Sequence, residues 1–178
     1  MNTNIISSDF KNGENFKIGH FCVIEEGVEV GNNVSIANYT ILHKGVKIGD
    51  NTVIGSYCEI DAGCDIRRHV TVQGRIRMGS GCLVEDNVTI KYGTILTSNV
   101  LLKENCFLGP NVITLGSTHK RVTVHGTIIG NNTYIGAGTK IAGGIIIGSD
   151  LTVGALSFVN KNVDEKGVYA GTPIRKLR

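Results

Sequence analysis

In the stretch VKIGDNTVIGSYCEI, residues 46–60, a large aliphatic residue returns every six positions, at Ile48, Ile54 and Ile60. Two places before each stands a small or β-branched residue, Val46, Thr52 and Cys58, and Gly49 and Gly55 follow the first two. Alternation with period two puts both members of each pair on one side of a short strand. Glycine, often followed here by Asn or Asp, tolerates positive φ, so the chain turns a corner after each strand. Stepping by six in both directions meets only large aliphatic residues from Ile18 to Leu108, through Val30, Leu42, Ile66, Met78 and Leu96. A second register runs Ile129, Ile135, Ile141, Ile147, Val153, Val159, and the 21 residues between Leu108 and Ile129 are not a multiple of six. A chain that turns every six residues with its aliphatics inside closes a triangle every three repeats. The period therefore predicts an all-β protein, a parallel β-solenoid of about seven coils stacked at roughly 4.8 Å. Its expected parts are a lead-in over 1–15, the solenoid over 16–160 with a loop over 109–127, and a C-terminal segment over 161–178, with almost no helix outside that segment.

Composition agrees with a globular chain and excludes other classes. Of 178 residues 24 are glycine but only 2 proline, which rules out collagen-like and low-complexity readings. Hydrophobic residues make up 41 % and charged residues 19 %, enough apolar material for a core and too little charge for disorder. No apolar run reaches the roughly 18 residues of a membrane span, and the start MNTNIISSDFKNG has no signal-peptide pattern. A soluble, cytoplasmic protein is expected. The net charge of +3 comes from interspersed basic and acidic residues, a distribution unlike a nucleic-acid-binding surface but open to an anionic small ligand.

The register assigns bland roles to several conspicuous residues. Cys22, Cys58, Cys64, Cys82 and Cys106 all occupy the small inward position and read as core thiols, not nucleophiles. Cys64 and Cys82 are 18 apart and stack on adjacent coils, where a reducing compartment keeps them free. Arg67, Glu85 and Lys103 predict a surface charge ladder of small energetic weight. Arg67, Arg68, His69, Arg75 and Arg77 form the densest basic stretch, read as a solvated turn in preference to a diphosphate contact. His20 and His43 have no acidic or histidine partner nearby in sequence and receive no role. Outward mid-strand positions should be polar, yet Leu83, Ile95, Leu101, Phe107, Ile128, Tyr134, Ile146 and Phe158 are not. Apolar stripes of this kind mark subunit contacts.

These motifs resemble the hexapeptide-repeat acyltransferases. The resemblance covers nearly the whole chain and implies a left-handed parallel β-helix, a hand that periodicity by itself does not supply. It also implies acetyl-CoA as cosubstrate, no metal, and a homotrimer with sites between subunits. The string GPNVITLGSTH, Gly109 to His119, is similar to the active-site segment of galactoside and maltose O-acetyltransferases, which makes His119 the implied general base; His125 has no such match. The segment from Asp86 to Val112, DNVTIKYGTILTSNVLLKENCFLGPNV, resembles nucleotide-sugar N-acetyltransferases acting on amino-dideoxyhexoses, and carries over to Asn87 a place near the sugar amine. Those enzymes often have Asn-x-x-x-Pro-Arg where this chain has Gly-Ser-Thr-His. In the last coils Ala137 and Ala155 are small and 18 apart, which leaves room for a pantetheine arm, and the resemblance adds Asn160, Lys161 and Arg175 as acetyl-CoA contacts. Cations suit the phosphates of coenzyme A.

The expected activity is N-acetylation of a dTDP- or UDP-linked amino-deoxy sugar in bacterial surface-glycan synthesis. An O-acetyltransferase on a free sugar or antibiotic shares the His119 match, although such relatives usually carry a longer N-terminal helical segment. A γ-carbonic-anhydrase-like zinc enzyme requires three converging histidines, which the single pair His119 and His125 fits poorly. An ice-binding solenoid requires regular outward threonine ladders, and only Thr71 and Thr89 appear.

Overall fold

Nearly all repeats form strands two residues long, and most pair in parallel with the strand 18 residues away, as in Glu59↔Arg77 and Asp65↔Leu83. The computed structural model describes residues 3–118, 120–124 and 126–178. Three sheets form the sides of a triangular prism. The first face runs from Ile5–Ile6 to Phe158–Val159, the second from Lys11–Asn12 to Ile146–Ile147, and the third from Lys17–Ile18 to the terminal strands Gly167–Ala170 and Arg175–Lys176. No helix occurs among the described residues, so none is long and apolar enough to cross a membrane.

Nine coils stack along the first face, where the period predicts about seven. The first coil lies ahead of the aliphatic register, because Ile5–Ile6 and Lys11–Asn12 already pair with Val23–Ile24 and Glu29–Val30. An end coil has solvent on its outer side, so Asn12 meets no requirement for an apolar residue, and Ile5 is 71 % exposed. The last coil closes with an Ile147↔Val163 bridge and with Gly167–Ala170, which pairs in parallel with Leu151–Val153 and antiparallel with Arg175–Lys176. The expected C-terminal segment is thus a capping hairpin.

The prism interior holds the aliphatic column, from Ile24 through Leu108 to Val159, all buried. The small inward position accepts cysteine and threonine for one reason. Each can satisfy a carbonyl at the next corner, as Thr40 Oγ1 donates to Gly55 at 2.8 Å and Cys58 Sγ to Gln73 at 3.0 Å. All five cysteines are free and buried. Burial pushes the thiols of Cys58 and Cys106 up to about 11, and hydrogen bonding to Cys64 together with burial raises Cys82 as well.

The three edges solve one backbone problem with three chemistries. Nearly every corner turns on a residue at positive φ. Between the first and second faces glycine serves at Gly27, Gly45, Gly63, Gly81 and Gly144, and Asn99 takes its place on the sixth coil. Between the second and third it is Asn15, Asn33, Asn51, His69, Asn87, Asn105, Asn132 and Asp150. Their side chains bond from coil to coil, Asn15 to Asn33 at 2.9 Å and Asn132 to Asp150 at 3.0 Å. Between the third and first, Phe21, Tyr39, Tyr57 and Arg75 take the left-handed conformation, which costs a side-chain-bearing residue about 1 kcal/mol or more. Stacking of Phe21 on Tyr39 at 5.1 Å and Tyr39 on Tyr57 at 4.9 Å offsets a comparable amount. The Arg75 guanidinium continues the stack, 5.5 Å from the Tyr57 ring and 5.9 Å from that of Tyr92.

Candidate active site

Two strands that would normally be six residues apart, Ile113–Thr114 and Ile128–Ile129, are separated by a longer segment on the edge between the first and second faces. The register across it is Leu101↔Ile128, 27 residues in place of 18, so nine residues are added to one coil and the stacking resumes undisturbed. This is narrower than the loop expected over 109–127, because residues 109–114 stay in the solenoid. The loop is a small hairpin: Ser117 and Thr123 form an antiparallel bridge, Thr118 N donates to Val122 O at 2.9 Å and Val124 N to Gly116 O at 3.1 Å. Its roots lie tightly on neighbouring coils. A Cβ on Gly126 would collide with the Asn99 carbonyl, and one on Gly143 with Val124. His119 and His125 lie outside the described residues.

Beneath the hairpin is a recess of about 360 Å³, lined by Arg77, Ile95, Thr97, Ser98, Asn99 and Thr123 among others. Hydroxyls, an amide, one guanidinium and an aliphatic floor form a lining suited to a sugar ring. Arg77 is held by two carboxylates of the coil below, Glu59 and Asp61, the latter at 3.1 Å. Glu59 also meets His43 Nε2 at 3.3 Å, and His43 Nδ1 lies 2.9 Å from Glu25. Partial burial opposes the charged imidazole, but hydrogen bonds to Glu25 and Glu59 prevail and raise His43 above its ordinary value. Burial also opposes ionisation of Glu59, and Arg77 and His43 nevertheless hold it below the usual carboxylate range.

His43 thus has the acidic partners that a reading of near neighbours denied it. The signal was available, since Glu25, His43 and Asp61 are 18 apart and must share one edge. The expected ladder of Arg67, Glu85 and Lys103 does not form ion pairs: Arg67 turns to Asp65 at 3.1 Å, and Glu85 accepts the Glu104 amide at 3.1 Å. The basic stretch is likewise dispersed, with Arg68 on Asp86 at 2.8 Å and Arg75 between tyrosines. Arg67, Arg68, Asp65, Glu85 and Asp86 help line a broad groove of about 870 Å³ over the second face.

Asn87 is exposed, at φ 61°, on the edge between the second and third faces. His69 interrupts the asparagine column there, so one bonded run ends at Asn51 and the next begins at Asn105, with Asn87 between them. Asn87 and the hairpin consequently stand on opposite edges of the second face, separated by roughly 20 Å of extended chain. The residues implied for the cofactor also divide. Ala137 and Ala155 stack on the edge between the third and first faces, where Leu156 N donates to Ala137 O at 2.8 Å. Arg175 is nearby through its pairing with Ala170. Asn160 and Lys161 follow the last first-face strand and share the hairpin's edge. Among the described residues Lys161 and Arg175 have no ion-pair partner, whereas Lys176 is paired with Glu165.

Family models match the same repeats. Residues 13–44 and 126–161 match the bacterial transferase hexapeptide, and residues 45–74 the hexapeptide repeat of succinyl-transferase, together more than half of the chain. The chain belongs to the hexapeptide-repeat transferase family. No curated protein matches it in sequence. Among solved structures it is similar to the UDP-N-acetylglucosamine acyltransferase of Bacteroides fragilis 9343, at 19 % identity over 98 % of this chain and 72 % of that one, TM-score 0.60. The corresponding enzyme of Moraxella catarrhalis RH4 gives 20 % identity, 98 % and 72 % coverage, and TM-score 0.57. The acetyltransferase domain of PglB from Neisseria gonorrhoeae FA1090, in complex with acetyl coenzyme A, gives 16 %, 99 % and 58 %, with TM-score 0.48. The chain therefore spans just under three fifths of that PglB structure. At these identities the likeness concerns the fold, and the hairpin edge is where this hexapeptide-repeat protein departs from plain coils.

Proposed function

We propose that this hexapeptide-repeat protein is an acetyl-CoA-dependent N-acetyltransferase acting on a nucleotide-linked, dTDP or UDP, amino-deoxy sugar, in the cytoplasmic steps of bacterial surface-glycan synthesis. The observation that carries the reading is the nine-residue insertion. It holds the Gly-Ser-Thr-His string, and it roofs a recess of about 360 Å³ lined for a sugar.

In the proposed reaction the neutral amine attacks the thioester carbonyl, a C–N bond forms and the C–S bond breaks. His119 takes the amine proton as general base and hands it to the departing sulfur, so that CoA leaves as the thiol. Backbone N–H groups support the oxyanion. Asn87 positions the amine, Ala137 and Ala155 leave room for pantetheine, and Asn160, Lys161 and Arg175 meet the cofactor's polar groups and phosphates. Transfer is direct, since the five cysteines are buried and offer no surface thiolate for an acyl-enzyme.

The active unit is a homotrimer. Leu83, Leu101, Ile128 and Ile146 run in unbroken register up the second face, an apolar stripe on an outward surface. With the hairpin on one edge of that face and Asn87 on the other, a site containing both draws them from two subunits.

A screen of nucleotide-linked amino sugars with acetyl-CoA, followed by thiol release and mass analysis of the product, tests the reading. Turnover with a nucleotide-amino sugar is expected. Release of thiol only with free sugars or antibiotics would replace it with the O-acetyltransferase alternative that shares the His119 match.

A further inference from the structure

The interior column of large aliphatic residues has one hydroxyl in it. Thr114, on the seventh coil, occupies the position that Met78 and Leu96 fill on the same face of the fifth and sixth, and it is fully buried. It also breaks the hydrogen-bond pattern of that face. After each strand the amide donates to a main-chain carbonyl of the next coil, as Asp61 N does to Met78 O at 2.9 Å, Gly79 N to Leu96 O at 2.8 Å and Leu115 N to Ile141 O at 2.8 Å. Thr97 N donates instead to Thr114 Oγ1 at 2.8 Å, and the two side-chain hydroxyls lie 3.0 Å apart.

Burial decides which hydroxyl donates. If Thr97 gave its proton to Thr114, the Thr114 hydrogen would be left in the interior with no acceptor among the described residues, a costly arrangement. Thr114 therefore donates to Thr97 Oγ1, and the Thr97 proton turns away from the interior toward the recess that Thr97 lines. The methyl side is held as well: a Cβ on Gly116 would lie 3.3 Å from the Thr97 methyl, so the root of the hairpin packs close over it. A hydroxyl fixed from two sides is a preorganised donor. We propose that Thr97 is a substrate-contacting residue, donating to an oxygen of the reacting pair, and that Thr114 is the positioning residue that aims it. An aliphatic side chain at 114 would suit the core better, and departures of this kind gather at functional sites. This rests on the recess being part of the transferase site. The oxygen is either a hydroxyl of the acceptor sugar or the thioester carbonyl, and both accept the same hydrogen bond.

Steady-state kinetics of the full chain with acetyl-CoA and dTDP- and UDP-linked amino-deoxy sugars, read by thiol release, test it. Thr97→Val should lower kcat/KM about 3- to 100-fold, from one neutral hydrogen bond at the lower end to a lost oxyanion donor at the upper. A raised KM for the sugar assigns the oxygen to the acceptor, and a lowered kcat at unchanged KM assigns it to the thioester. Thr97→Val also strands the Thr114 hydrogen in the interior, so Thr114→Val is the second variant. In it the Thr97 amide has the Thr114 carbonyl to take, as in the other coils, and the melting temperature by circular dichroism should not fall. Its split between KM and kcat should nonetheless match that of Thr97→Val. Thr114→Ser, which keeps the hydroxyl, should restore activity, and Thr97→Val with Thr114→Val should be no worse than either alone. Wild-type constants in either valine variant, or a loss at 114 that serine fails to restore, would overturn the proposal and leave the transferase reading standing. A wild type that releases thiol with none of the sugars would sink that reading and this inference with it.

Discussion

On the second face, coils one to four point Lys11, Glu29, Lys47 and Asp65 outward, whereas coils five to eight point Leu83, Leu101, Ile128 and Ile146. The backbone is the same in both halves, strand for strand. The lower half satisfies its surface by itself, with ion pairs such as Lys11–Glu29 and the aromatic stack from Phe21 to Tyr57. The upper half presents apolar side chains on that face and carries the nine-residue hairpin, Lys161 and Arg175, which have no ion-pair partner among the described residues, and the small residues Ala137 and Ala155. Outward side chains are not what fills the interior, so they are free to divide the molecule into a supporting half and, on the proposed reading, a working half.

The largest effect that would break this division is at the hairpin. His119→Ala should lower kcat about 10² to 10⁴-fold with the oligomer intact, while Asn87→Ala costs less, through positioning. Near-full activity in His119→Ala, by steady-state assay, would move the proton route elsewhere. Next comes the apolar stripe. Leu101→Glu should weaken subunit association by about 2 kcal/mol or more and take activity with it, read by sedimentation, whereas Lys47→Ala in the lower half should leave assembly unchanged. An oligomer indifferent to Leu101→Glu would place the interface on another face. Ala155→Leu should raise the KM for acetyl-CoA by about tenfold, in the range of a 1–3 kcal/mol steric cost, with kcat little altered. Equal KM values for variant and wild type would put the cofactor groove on another edge.

The smallest effect lies in the supporting half. His43 has its pKa raised in the folded protein by Glu25 and Glu59 against partial burial. Its stabilisation is therefore complete below the unfolded value near 6.5 and is lost as pH rises through the higher folded value. Against His43→Gln the wild type should be more stable at pH 5.5 by less than about 1 kcal/mol, with the difference gone at pH 8.5 in urea unfolding. A difference that does not change with pH would remove the ion-pair account.

The fold was legible because interior aliphatics cannot be dispensed with, so the period from Ile18 to Leu108 states the coil plainly. It fell silent where the interior ends. Asn12 faces solvent at one end, and at the other the chain leaves the repeat for a hairpin cap. Thr114 hid another repeat, since it fills an aliphatic position with a buried hydroxyl that accepts the Thr97 amide at 2.8 Å. At the candidate site, the place of the insertion was readable as a break in register. The link from Glu25 through His43 to Asp61 was readable as well, because the 18-residue spacing that aligns Arg67, Glu85 and Lys103 aligns these three, and a reading of near neighbours alone conceals it.

The aromatic edge makes the supporting half optically distinct. The chain has no tryptophan and five tyrosines, of which Tyr39, Tyr57 and Tyr92 belong to that edge. Tyr39 and Tyr57, stacked at 4.9 Å, should couple their ultraviolet transitions, as should Phe107 and Tyr134 of the upper half at 5.0 Å, so near-ultraviolet dichroism reports on both, weighted toward the aromatic edge by its three tyrosines. A thermal melt followed by tyrosine signal would register collapse of the coils and pass over a loosened hairpin, which holds no tyrosine. A label placed on Lys120, within the loop, would supply the reading that the native chromophores omit.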